Sequence, residues 1–218
     1  MKSTRKVVIF GLSANPPTGL HGHTGIIRDL AGSFDEVWVL PVYRHIYESK
    51  SDLASFDHRV KMCQLSFVES DPSPAHKVSV CLMEKEIVEA AQKATDATEK
   101  IVRCGSIDVI RHLKARYPEV EWHWVLGADT YNDLRAGKWK ASEEFQNEIT
   151  IHVIPRLGDS LADLVGNARK RSITSLGGIS SSLIRSSKNE TFLRNEENLL
   201  PSVYSYIKEH NLYGWSFE

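Results

Sequence analysis

Cysteine is scarce in this chain. Three residues, Cys63, Cys81 and Cys104, are widely spaced and odd in number. That excludes a disulfide framework or a Cys-rich zinc site and fits a reducing compartment. The expected location is therefore cytoplasmic, with the nucleus left open. No stretch approaches the roughly 20 apolar residues that a membrane-crossing helix needs. The basic start "MKSTRKVVIF" loses its apolar run at Gly11, so it does not read as a secretory leader. Excess charge is missing too: 27 Lys plus Arg face 28 Asp plus Glu, a formal net of -1. No general nucleic-acid or membrane surface is expected from that balance, although a small local cationic site remains compatible with it. Repeats, low-complexity tracts and a clear interdomain linker are also lacking. So are a Cys-x-x-Cys, a His-x-x-x-His pair, a nucleophilic triad and the paired carboxylates of glycoside chemistry.

What is present is an alternation of strands and helices. "KVVIF" (6–10) and "EVWVLPV" (36–42) are continuous apolar runs, the pattern of strands buried on both faces. A helix starting near Thr24 separates them at βαβ spacing, which predicts a parallel sheet. A helix is expected over 56–70, a short strand over 76–83, and helices near 84–94 and 106–116, the second closed by Pro118. "EWHWVLGAD" predicts a strand ending at Gly127, followed by a short helix through Tyr131 to Leu134. "TIHVIPR" (150–156) is a further strand, and "SITSLGG" is read as holding the last one. "ISSSLIRSS" and "PSVYSYIKEH" read as helices. The fold class is α/β: a doubly wound, mostly parallel sheet in one domain over 1–218, with a helical C-terminal end from about 178. Ligands of such sheets bind beyond the carboxyl ends of the strands. The loops after Phe10, Pro41, Leu126 and Ile154 should therefore surround one crevice.

Several segments carry chemistry. The loop "GLSANPPTGLHGH" joins a strand to a helix but lacks the Gly-Lys-Ser/Thr ending of a P-loop and the spacing of a dinucleotide fingerprint. Gly11, Gly19 and Gly22 permit close backbone approach, and Pro16-Pro17 stiffens the turn. His23 falls beside a helix start, where free N–H groups favour phosphate; an ordinary turn is the alternative. In "GISSSLIRSS", one of Ser180, Ser181 and Ser182 can cap a helix with Arg185 one turn inside. Two such helix starts in one small domain favour a polyphosphate ligand over two plain surface helices. Asp129, just past a strand end, can accept from a sugar hydroxyl. Trp139, between Lys138 and Lys140, can stack on a flat ring or pack in a core. Trp122 and Trp124 alternate along a strand and are read as core. Arg44, His45 and Lys50 make either a solvated face or a basic loop over phosphates.

Four blocks together resemble the nicotinamide/nicotinate mononucleotide adenylyltransferases of the nucleotidylyltransferase superfamily. They are "GLSANPPTGLHGH", "HIYESKSDLASFDHRVKMCQLSF", "VLGADTYNDLRAGKWK" and "GISSSLIRSS", the last followed by "LLPSVYSYIKEHNLYG". In order and spacing they span most of the chain. The resemblance implies a Rossmann-like nucleotidylyltransferase fold and adenylyl transfer from ATP to nicotinamide or nicotinate mononucleotide. The products would be NAD or its deamido form, plus pyrophosphate, with Mg2+ as cofactor.

It also implies roles. Gly11, Ser13, Asn15, Pro16, Thr18, Gly127, Asp129, Ser181 and Arg185 would bind ATP. Trp139, Lys50 and Arg156 would bind the mononucleotide. His23, Arg185 and Lys50 would stabilise the transferring phosphate. Counting from Pro16 selects His21 as the loop histidine, whereas the Gly-His dipeptide and the distance to the helix select His23; the expectation is His23, with His21 in reserve. The loop carries two extra residues, and Ala14 stands where the family usually has an aromatic. Phe56, Arg59 and Met62 would be scaffold. The implied partners are the two small substrates, with no nucleic acid or membrane and with a homo-oligomer left open. The alternatives are a related nucleotidylyltransferase with another phosphorylated acceptor, and a non-catalytic nucleotide-binding protein.

Overall fold

The strand β1 (Arg5–Leu12) buries Val7 and Ile9 on one face and Val8, Phe10 and Leu12 on the other. It can do so only at the centre of a sheet covered on both sides. The computed structural model, which describes residues 4–44, 53–70, 77–94, 102–156 and 158–216, places it there. β2 (Glu36–Pro41), β3 (Val78–Val80), β4 (Val120–Gly127), β5 (Thr150–Ile154) and β6 (Ala168–Lys170) complete a six-stranded sheet of order β3-β2-β1-β4-β5-β6. Every pairing is parallel. The order reverses between β1 and β4, and a crevice opens at the carboxyl ends of strands flanking such a switch point.

Two helical layers cover the sheet. On one face α1 (His23–Ala31) contributes Ile26, Ile27 and Leu30, and α2 (Phe56–Cys63) contributes Cys63. α2 runs on as a π-turn over Gln64–Val68, closed by Glu69 N–H donating to the Gln64 carbonyl at 2.9 Å. On the other face lie α3 (Met83–Ala94), α4 (Ser106–Arg116), α5 (Ala128–Arg135) and α6 (Ser142–Glu148), around Trp122, Trp124, Ile107, Leu113, Tyr131 and Phe145. A third apolar cluster joins α7 (Ser181–Ser186), α8 (Glu190–Arg194) and α9 (Pro201–Glu209) to the back of α2 through Met62. The fold is the doubly wound parallel sheet expected, with the helical C-terminal end packed on α2.

One expected strand sits elsewhere. Residues 172–178 form turns and irregular backbone, and the last strand is β6, inside the polar stretch before them. β6 is an edge strand of three residues, Ala-Arg-Lys, held by backbone pairing to Ile151, His152 and Val153. A short, charged edge strand resists pairing with other chains, and for the same reason has no apolar signature. Helices α6 and α8 are additional to those expected; each is seven residues or fewer.

Candidate functional site

A cavity of about 640 Å³ opens at the switch point. Its walls come from the ends of β1, β2, β4 and β5, from the first turns of α3 and α4, from Trp139–Lys140, and from α7. Of the expected residues, it brings together Gly11, Ser13, Asn15, His23, Gly127, Asp129, Trp139, Arg156, Ser181 and Arg185. Lys50 and His45 lie outside the described residues. His21, Pro16 and Thr18 do not line the cavity.

The first loop explains that division. Thr18 and His23 bond reciprocally: the Thr18 N–H donates to His23 Nδ1 at 3.1 Å, and the His23 N–H donates to Thr18 Oγ1 at 2.8 Å. Gly22 permits this closure, because a Cβ there would stand 2.0 Å from Thr18 Oγ1. The Thr18 N–H makes Nδ1 an acceptor, so the neutral ring carries its proton on Nε2. Burial, reinforced by the nearby Arg156 charge, pushes the His23 pKa down to about 4. The imidazole is therefore neutral at physiological pH and offers the cavity an Nε2–H donor. His21 points the other way. Its Nε2 is 3.6 Å from Glu197 Oε1, and its backbone groups bond Glu197 and Gly177. It ties the loop to the C-terminal segment. Gly19 shares that task, since a Cβ there would meet the Glu196 carbonyl at 2.1 Å.

Helix α7 is bonded to the same loop. Ser180 is the cap, its side chain accepting from the Leu183 N–H. The Ser181 hydroxyl donates to the Pro16 carbonyl at 2.8 Å, and Arg185 Nη1 donates to the Asn15 carbonyl at 2.6 Å. Asn15 is 2 % exposed, and its Oδ1 accepts from the Ala54 N–H and the Tyr213 hydroxyl. Pro16 and Thr18 thus act behind the loop, while Arg185 is aimed with guanidinium donors to spare. Arg156 lies exposed just past β5, its backbone N–H held by Asp159 Oδ2 at 2.7 Å. These groups give one end of the cavity a cationic, donor-rich character suited to phosphate oxygens.

The other end is aromatic and more sparsely bonded. Trp139 is half-buried, with its ring 5.5 Å from that of Phe145. Ser142 holds its backbone by accepting from the Trp139 N–H and donating to the Trp139 carbonyl. Asp129 is exposed in the first turn of α5, its Oδ1 accepting from the Thr130 N–H at 2.8 Å. Arg59, expected as scaffold, is 2 % exposed and donates to the carbonyls of Ala54, Ser13 and Val42. It links the first loop to the segments on both sides of residues 45–52. Met62 is fully buried and Phe56 lies under the Arg59 guanidinium.

The sequence reading missed Glu84. It is 9 % exposed, lines the cavity, and accepts from the Tyr43 N–H at 2.8 Å. Burial pushes its pKa up to about 7, partly offset by that N–H and by Arg59. In sequence it is an ordinary acid in the first turn of a helix, where acids are common for dipole reasons. Nothing in the string separates it from Glu86.

The sequence profile of the cytidylyltransferase-like family matches residues 9–187, from β1 through α7. The chain belongs to that family. The matched span contains every residue placed around the cavity, so family membership and geometry refer to the same part of the molecule. It also agrees with the superfamily resemblance carried by the four motif blocks. Among curated relatives, a probable nicotinate-nucleotide adenylyltransferase of Myxococcus xanthus is 26% identical over 217 residues, covering 98% of this chain and 97% of its own. One from Shouchella clausii is 28% identical over 216 residues, covering 96% and 97%. Among solved structures, the Plasmodium falciparum nicotinic acid mononucleotide adenylyltransferase complexed with NaAD superposes with a TM-score of 0.72 at 21% identity. That match covers 98% of this chain and 100% of the other, and at such identity it shows the shared fold.

Proposed function

We propose that this protein transfers the adenylyl group of ATP to the 5'-phosphate of a pyridine mononucleotide, nicotinate or nicotinamide. The observation that carries the reading is the pairing, within one cavity, of a donor-rich end at His23 and Arg185 with an aromatic end at Trp139. The names of relatives aligned over nearly the whole chain support the same acceptor class. An oxygen of the acceptor's 5'-phosphate attacks the α-phosphorus, the bond from that phosphorus to the bridging oxygen breaks, and pyrophosphate leaves with the electron pair. The nucleophile is already anionic, so no strong general base is needed. The protein's task is to hold two anions in line and to stabilise charge on the departing pyrophosphate. His23 Nε2–H, Arg185 and Arg156 suit that task, and preorganised donors of this kind contribute about 3 kcal/mol each. Trp139 offers a stacking face for the pyridine ring, and Asp129 an acceptor for a ribose hydroxyl.

Mg2+ belongs to this proposal as the ion that arrives with ATP. Among the described residues no group of three or more His, Cys, Asp or Glu could cage it. Phosphate oxygens and water are its ordinary ligands in such sites. The test is one assay: ATP and Mg2+ with nicotinate mononucleotide, nicotinamide mononucleotide, phosphopantetheine or a cytidylyl acceptor (the last with CTP), measuring pyrophosphate and product. Pyridine dinucleotide formation is expected. Turnover with another acceptor alone, or ATP binding without pyrophosphate from any acceptor, would refute it.

A further inference from the structure

Glu84 is a carboxyl group in the cavity wall that the transfer step does not use. Its surroundings lie on the α3 and α4 side of the sheet. Lys140, next after Trp139, packs its side chain against Gly105, where a Cβ would stand 3.1 Å from Lys140 Cβ. Cys104 precedes Gly105, and its thiol feels the charge of Glu84. Met83, beside Glu84, packs in the same apolar layer as Cys104 and Trp139, whereas His23 opens α1 on the opposite face of the sheet. One oxygen, Oε2, is fixed by the Tyr43 N–H at 2.8 Å. The other, Oε1, has no hydrogen bond among the described residues, and the residue lines the cavity. The peptide that holds it is itself held: Arg59 Nη1 donates to the Val42 carbonyl, the other half of the Val42–Tyr43 amide, at 2.7 Å.

We propose that Glu84 Oε1 meets the polar substituent of the acceptor's ring and sets the choice between carboxamide and carboxylate. This rests on the acceptor being a pyridine mononucleotide. An ionised Glu84 accepts from a carboxamide NH2 and repels a carboxylate. A protonated Glu84 donates to a carboxylate. Arg44, over the Tyr43 ring, lines the same cavity. Arg59 faces Glu84 from α2 and Cys104 from the start of α4, with the Cys104 thiol pushed up to about 12 and so neutral. Asp108 and Lys140 lie beyond Cys104 and pair with each other at 2.8 Å. Lys85, next in α3, sits over the Phe56 ring. With Glu84 titrating at about 7, the preference is set within the physiological range.

The informative variant is Glu84→Gln. The Tyr43 N–H needs an acceptor, so the amide oxygen takes the place of Oε2 and the NH2 is turned to the cavity. The pocket then presents a donor at every pH. The ratio of kcat/KM for nicotinate mononucleotide over nicotinamide mononucleotide should rise about tenfold at pH 8, the equivalent of one hydrogen bond gained or lost. The change should lie in acceptor KM, with ATP KM unchanged and Tm close to wild type. In the wild type the same ratio should fall as pH rises through about 7; in Glu84→Gln it should be flat. A wild-type ratio that is flat from pH 6 to 8, or an unchanged ratio in the variant, overturns the role of Glu84 and leaves the proposed reaction standing. If the variant fails to fold, the wild-type pH series decides alone. Turnover of neither mononucleotide by wild type would remove the proposed reaction and this inference together.

Discussion

A buried titratable side chain stands at each end of the cavity, His23 at one and Glu84 at the other, and burial drives both toward the neutral form from opposite directions. His23 is pushed down to about 4 and Glu84 up to about 7. The consequence differs because the shifts start from different places. His23 ends well below physiological pH and is a constant donor. Glu84 ends at physiological pH and is adjustable. The hydrogen bonding differs in the same sense. The His23 end is cross-linked by reciprocal bonds through Thr18 and by the Ser181 and Arg185 ties from α7. The Trp139 end has an open carboxylate oxygen and a partly exposed ring. A rigid, donor-rich end beside an adjustable end suits the proposed reaction, in which the triphosphate is invariant and the acceptor must be chosen.

The largest test of that contrast is His23→Ala. It removes a fixed donor, and turnover should fall by about 10²–10³-fold. The fold loses much less, about 1 kcal/mol, from the unpaired Thr18 N–H. Initial rates at saturating substrates with a parallel melting curve check both, and an unchanged rate would end the role given to His23. Arg59→Leu should reverse the pattern. Three carbonyls and Glu84 lose the buried cation that joins them, so stability should drop by about 3 kcal/mol, read by urea unfolding. A drop below about 1 kcal/mol would mean that Arg59 does not link the loops as described.

These two residues also show how far the sequence could be read. The parallel sheet followed from apolar runs, because burial on both faces leaves a compositional mark, and the helix from Phe56 followed from the spacing of Phe56, Val60, Cys63 and Phe67. β6 left none, since its pairing is entirely backbone. The cavity residues were found where a motif named them. Placing His23 at the cavity and His21 away from it took three dimensions: both follow glycine-rich sequence, and the reciprocal bond with Thr18 separates them. Arg59 could be marked as scaffold, but its three carbonyl partners come from positions 13, 42 and 54, which only the fold assembles. Glu84 depends on burial, which an acidic helix start does not announce.

Two smaller effects sharpen the comparison. Trp139→Ala should raise acceptor KM about tenfold through lost stacking, while ATP KM holds; equal changes in both would mean that the two ends are not separate subsites. His21→Ala should change turnover less than twofold and stability by less than about 0.5 kcal/mol. Its contact with Glu197 is between side chains 42% and 50% exposed, and water screens such pairs. A large loss of rate there would move the phosphate role back to His21.

In the proposed reaction, ATP and acceptor occupy this one cavity together and the adenylyl group passes directly between them. The stereochemical course at the α-phosphorus tests it most directly, using ATP made chiral there by sulfur substitution. Direct in-line transfer predicts a dinucleotide with inverted configuration. Retention would require two displacements through an adenylylated enzyme and would rule out direct transfer.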